Sequence, residues 1–362
     1  MKMKTSRIIA TIAASFFIGG TLHAQAWKAK AISDMKKGDF AKVEQTISKL
    51  SQEEQNKHAW LIDSLQAMMS RIRDDFRLSR EEGKKLLLEK VPGATDKQIE
   101  AWKQKKYLET RMIDGEERWF RKTISNFALL NKDVYPAEIV QGKKKEYAKV
   151  HPMCEHILTQ KLEENNTCDW KKVNATFYIE VPADAVPAGE TIKAWLPYPF
   201  DNGRQRNFQL LSTSSPATHS EGSLHHTVYM EQKAVKGQPT RFEMKFSYEV
   251  GAQVFHQADI LKNLKSYDKQ SDLYKKFTAQ ELPHMLVNKQ MKTLAQKIVG
   301  TETNPVLQAS MIYDWISANY PWAGAIDYST IPCIPQYVLD INHGDCGQVT
   351  LLYISLLRSL GI

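Results

Sequence analysis

Long apolar runs are what this 362-residue chain most clearly lacks. Past its first two dozen residues, no stretch approaches the ~20 apolar residues that a bilayer-spanning helix needs. A dense basic run is missing too. The net charge of +8 falls to +5 once Lys2, Lys4 and Arg7 are set aside, and it is spread over the whole chain. With neither a basic face nor a recognisable module, nucleic acid is not an expected partner. Cysteine is scarce, at four residues: Cys154, Cys168, Cys333 and Cys346. No internal repeat is visible. What is present is ordinary for a soluble protein, 42% hydrophobic and 25% charged, and long enough for two or three domains.

The N-terminus reads as an export signal. Lys2, Lys4 and Arg7 form a positive segment, Ile8 to Leu22 an apolar one, and Ala24-Gln25-Ala26 a small-residue cleavage pattern. No cysteine lies near the cut to take a lipid. The expectation is a mature protein that is periplasmic, cell-surface or secreted, with no stable membrane insertion after cleavage.

From Trp27 onward the period is helical. "FAKVEQTISKL" places Phe40, Val43, Ile47 and Leu50 on one face, and "WLIDSLQAMMSRIRDDF" places Leu61, Leu65, Met68, Met69, Ile72 and Phe76 on another. Thr95 followed by Gln98 predicts a capping box, and Asp114-Gly115 a two-stranded ribbon. Near Asn174 the period changes to two. "VNATFYIEV" sets Val173, Ala175, Phe177, Ile179 and Val181 on one side, and "RFEMKFSYEV" sets Phe242, Met244, Phe246, Tyr248 and Val250 likewise. That pattern predicts a small antiparallel β-sandwich-like domain. Its His219, His225 and His226 read as solvent-exposed strand-end residues. Helical signals return after Phe255, with Pro305 suited to a helix start.

The chain closes on "NHGDCGQVTLLYISLLRSLGI". Val349, Leu352, Tyr353, Leu356, Leu357 and Leu360 make one broad apolar face, Asp345 is a good N-cap, and Gly361 suits the left-handed stop. Cys346 then lies in the first turn, where the dipole and free backbone N–H groups favour a thiolate and offer a place for an oxyanion. Gly344 and Gly347 would leave the thiol open to a substrate backbone. Two alternatives stand beside this one: a small buried cysteine that merely opens a core helix, and a Cys333–Cys346 disulfide that silences the thiol. Further upstream, His151, Cys154, His156 and Cys168 are close enough in sequence to suggest zinc. The two-residue cysteine knuckle of a finger is missing, however, and a Cys154–Cys168 disulfide or free thiols read more simply. No metal or organic cofactor is expected.

The block 304–362 resembles the front half of a transglutaminase-like (papain-like) cysteine core of the bacterial secreted type. The pieces that carry the likeness are "ASMIYDWISANYPW", the loop into "GDCGQVTLLYISLLRSLGI", and the closing "RSLGI". The resemblance implies that Cys346 is the nucleophile of acyl transfer at amides and that Arg358 to Ile362 lead into the first strand of the core. It also offers Trp322 and Tyr328 as sources of an oxyanion N–H or a substrate wall, with ordinary core packing the alternative for Trp322. The family's histidine and aspartate follow the cysteine on later strands, where this sequence stops. The chain is therefore expected to be a truncated piece of a longer enzyme or an inert relative. His343 reads as a loop residue rather than a substitute base, because a base must reach the thiol from across the cleft.

The expected class is α+β and multi-domain. It comprises a signal peptide (1–26), a helical region (27–170), the β domain (171–252), a helical connector (253–303) and the incomplete core (304–362). The resemblance implies a cysteine protease or amidase acting on a protein or peptide substrate more than a cross-linker. The alternative is an inactive binding protein that uses its β domain and helical region as surfaces.

Overall fold

Several helix starts in this chain follow capping chemistry legible in the sequence. In the computed structural model, which describes residues 22–131, 134, 152–220 and 225–362, Thr95 Oγ1 accepts the Gln98 N–H at 3.3 Å. Gln98 Oε1 accepts the Thr95 N–H at 2.9 Å, ahead of the helix Asp96–Gln104. Ser79 and Glu82 form the same reciprocal pair before Arg80–Lys90, so two orphan donors are satisfied at each helix end. Asn304 caps Pro305–Asn319 by accepting from Val306 and Leu307, with Pro305 in the first turn as expected.

Asp114 and Gly115 both take left-handed φ values, +51° and +85°, and join the strands Thr110–Ile113 and Glu116–Trp119. That backbone matches the twist of a two-residue hairpin. Leu78–Ser79 adds a third strand to the predicted ribbon by pairing with Glu116–Trp119.

The chain forms two compact units, one made of residues 1–141 with 265–362 and the other of 142–264. In the first, the N-terminal helices and the C-terminal segment share one core. Phe40, Val43 and Met69 belong to the same buried cluster as Met291, Ile312, Val338 and Leu356. The sequence reading sets these stretches apart because periodicity shows which face of a helix is buried but not what buries it. The expected signal peptide falls mostly on residues 1–21, which lie outside the described residues, and Ala24–Ala26 sit in the first turns of the helix Leu22–Lys37. No helix among the described residues is long and apolar enough to cross a membrane.

The second unit holds two three-stranded antiparallel sheets. Thr240–Gln253 is the centre of one, flanked by Thr167–Val181 and Gln205–Thr213. Thr227–Lys233 is the centre of the other, flanked by Thr191–Pro197 and Ala217–Ser220. The period-two reading holds for Phe242, Met244 and Phe246, which are buried with Val228 and Met230 in one cluster. It holds only partly for Thr167–Val181. Phe177 and Ile179 lie on the predicted side but are 42% and 43% exposed, so that end of the sheet face is uncovered. His219 and His226 are corrections as well: instead of pointing freely to solvent they pack on rings, His219 edge-on to Tyr198 and His226 stacked on Phe200 at 4.7 Å.

Candidate active site

The helix Cys346–Leu360 starts where the sequence predicts. Asp345 is its N-cap, accepting the Gln348 N–H at 3.0 Å while Gln348 Oε1 accepts the Asp345 N–H at 3.1 Å. At the other end Gly361 adopts φ +85°, and the Gly361 and Ile362 N–H groups close onto Arg358 and Leu357 carbonyls. Leu352 and Leu356 are fully buried.

The apolar face of this helix packs against the helices Lys289–Val299, Pro305–Asn319 and Ile334–Ile341. Part of the buried face is polar. Ser355 Oγ accepts the Leu286 N–H at 3.0 Å, and the Ser359 hydroxyl donates to the Ser355 carbonyl at 2.7 Å. Sequence reading misses these serines because a hydroxyl that bonds to backbone is indistinguishable, in a pattern, from one that faces water.

Cys346 is exposed in the first turn, which answers the buried-cysteine alternative. All four cysteines are free thiols, so neither the Cys333–Cys346 nor the Cys154–Cys168 pairing is formed. Cys168 is buried and its thiol turns to the Ile157 carbonyl at 3.9 Å, whereas Cys154 is exposed on the short helix Pro152–Leu158. Of the zinc set, His151 lies outside the described residues, and among the described residues no group of three His, Cys, Asp or Glu side chains is arranged to hold a metal ion.

Both aromatic candidates border the Cys346 turn. Trp322 bridges to Gly344 in parallel: the Ala323 N–H donates to the Gly344 carbonyl at 3.1 Å, and the Gly344 N–H to the Pro321 carbonyl at 3.3 Å. With 58% of its surface exposed, Trp322 is not core. The Tyr328 hydroxyl donates to Asp345 Oδ1. Burial, that bond, and the nearby Asp345 and Cys346 charges push the phenol well above the usual tyrosine range, which keeps it a proton-bearing donor.

The two glycines differ from expectation. A Cβ on Gly347 would overlap the Tyr328 hydroxyl, and one on Gly344 would press on Gln348 and Val349 at 3.1–3.3 Å. The space they leave is filled by the protein's own side chains rather than held open for substrate.

His343 is 5% exposed and hydrogen-bonded to the Lys106 backbone, and burial pushes it down to about 4. A neutral, inward-held imidazole anchors the loop, consistent with its reading as a loop residue rather than a base. Among the described residues, no hydrogen bond joins the Cys346 thiol to an imidazole or a carboxylate. The site therefore presents an exposed thiol, helix N-terminal N–H donors and a neutral phenol. Acyl transfer at a thiol of this kind would require a proton acceptor as well.

Residues 292–362 match the transglutaminase-like superfamily, and this C-terminal segment is a transglutaminase-like one. The match begins inside the helix Lys289–Val299, earlier than the block that carries the resemblance in sequence. That helix packs directly on Cys346–Leu360. No curated protein matches the chain. Among solved structures, a proposed cysteine protease from Cytophaga hutchinsonii is 17% identical with a TM-score of 0.37. The alignment covers 54% of this chain and 64% of that one, so this chain spans less than two thirds of its length. A likeness that distant has no bearing on the reaction.

Proposed function

We propose that Cys346 is the nucleophile of acyl transfer at amide bonds, in an exported protein that hydrolyses peptide or glutamine amides rather than cross-linking them. The observation that carries this reading is the exposed thiol in the first turn of a capped, buried helix, with Trp322 and Tyr328 beside it. The Cys346 sulfur attacks the amide carbonyl carbon, and the tetrahedral oxyanion meets the free N–H groups of the first turn. The C–N bond then breaks, and the amine leaves with the proton that the thiol gave to the base. Water resolves the thioester and releases the acid. The proton acceptor in this proposal is an imidazole oriented by an aspartate, as the family resemblance implies. The β-sandwich reading of the second unit and export through residues 1–26 belong to the same proposal.

Reaction with a dipeptidyl chloromethyl ketone, mapped by peptide mass, tests it. Cys346 is expected to take the label ahead of Cys154, Cys168 and Cys333, and Cys346→Ser to abolish the labelling. Label carried by Cys154 or Cys333 instead would sink the nucleophile assignment and leave the binding-protein reading.

A further inference from the structure

The loop that presents Tyr328 is held from a part of the chain that the family match does not reach. This loop, 323–331, is hydrogen-bonded by three side chains of the N-terminal helical region. Asn126, 4% exposed, lays its amide against the Gly324 peptide: Nδ2 donates to the carbonyl at 2.9 Å and Oδ1 accepts the N–H at 2.8 Å. One strand pairs with another in the same way, but here a side chain supplies one of the two edges. Asp75, 1% exposed, accepts the Asp327 N–H on Oδ2 at 2.6 Å and Arg121 Nε on Oδ1 at 3.1 Å. Arg71 donates to Ser329 Oγ at 2.6 Å.

Tyr328 thus stands between two gripped residues, Asp327 and Ser329. There is no slack at Gly324 either, where a Cβ would sit 2.9 Å from Lys122 Cδ. Buried polar groups with all their partners in place fix a single backbone geometry.

We infer that Asn126 and Asp75 are positioning residues of the Cys346 site, fixing the loop 323–331 so that Tyr328 meets Asp345 and Trp322 borders the turn before Cys346. The inference rests on Cys346 being the nucleophile, and it gives the N-terminal helices, to which the enzyme reading of the sequence assigns no role, a place in the frame of the site. Neither residue touches the reacting atoms. Their effect runs through the placement of Trp322 and Tyr328, where a displacement of about 1 Å is enough to cost rate.

The test uses the full chain with Asn126→Ala and Asp75→Ala, and with Asp75→Asn, which keeps an acceptor for the Asp327 N–H. Two quantities are measured. One is the ratio of Cys346 labelling by a dipeptidyl chloromethyl ketone to labelling by iodoacetamide; the other is amide hydrogen exchange across 323–331. Iodoacetamide is too small to need a wall, so the ratio cancels intrinsic thiol reactivity. Both alanine variants are expected to lower the ratio about tenfold and to speed exchange at Gly324, Asp327 and Ser329, with Asp75→Asn staying within about threefold of the parent. An unchanged ratio in alanine variants whose loop exchange has risen would overturn the inference, and so would unchanged exchange. If an alanine variant does not fold, Asn126→Asp, which keeps only the acceptor, and Arg71→Ala take its place, with the same shifts expected and the same two results overturning the inference. A parent protein in which Cys346 is not singled out would instead bring down the nucleophile reading, and the exchange data would then decide the clamp separately.

Discussion

Two cysteines head two consecutive helices of this protein, and they differ in both capping and exposure. Cys333 is itself the N-cap of Ile334–Ile341, in extended backbone at φ −153° and without a side-chain cap bond. It is half-buried, and burial pushes its thiol above the ordinary range. Cys346 stands one position further in, because Asp345 does the capping. Its thiol is exposed and its own backbone N–H is one of the orphan donors of the first turn. A helix N-terminus is therefore not enough to mark a nucleophile. The offset between cap and thiol, together with exposure, separates the two sites.

The largest expected loss of that difference comes from Gly347→Ala. The new methyl has no room beside Tyr328, so the loop or the turn must shift. Labelling of Cys346 by the peptidyl ketone should fall at least about tenfold, with roughly 1–3 kcal/mol of stability lost as in other overpacked sites. Rates and denaturant midpoints check both. A variant that reacts like its parent would show that the close fit of Tyr328 on the turn is irrelevant.

The next test sharpens the comparison through pH. Glu109 accepts the Tyr337 hydroxyl of the Cys333 helix, and burial pushes its carboxyl up to about 7 from 4.5. Between those values the native chain keeps a proton that the unfolded chain has lost, so stability falls as pH rises, by about 3 kcal/mol. His343, in the link between the two helices, does the opposite. It stays neutral down to about 4 while the unfolded imidazole protonates below 6.5, so stability falls as pH drops. The two slopes oppose one another over the range they share. Glu109→Gln should expose the His343 slope and His343→Asn the Glu109 slope, read from denaturant midpoints between pH 4 and 8. If Glu109→Gln leaves the profile as it was, Glu109 does not hold the proton.

The smallest effect belongs to the cap. Asp345→Ala removes the Cys346 helix's reciprocal pair with Gln348 and should cost about 1 kcal/mol in thermal or chemical melting. Asp345→Asn should recover most of it. Equal stability for Asp345→Ala and the parent would place the helix start elsewhere.

Much of this is legible in the sequence. Asp345, Gly361, Thr95 with Gln98, and Asp114-Gly115 are local rules in which a side chain answers a backbone group a few residues away. The buried stripe through Phe40, Val43 and Ile47 is equally local, since helical period alone lines those residues up. The exposure of Trp322 is not legible, because an aromatic near a tight loop serves equally as core or as rim. The Asn126–Gly324 and Asp75–Asp327 bonds are out of reach as well, joining residues 198 and 252 positions apart with no motif to announce them.

Local chain chemistry is enough to set where the capped helices begin, which residues alternate along the central strand Thr240–Gln253, and that Cys346 opens a capped apolar helix. It takes the assembled fold to expose the thiol, to fill the space at Gly347 with Tyr328, and to frame the turn with the N-terminal helices. The physical reason is range: caps and periods act within one or two turns of chain, whereas burial and buried hydrogen bonds depend on which distant segment arrives to fill the space.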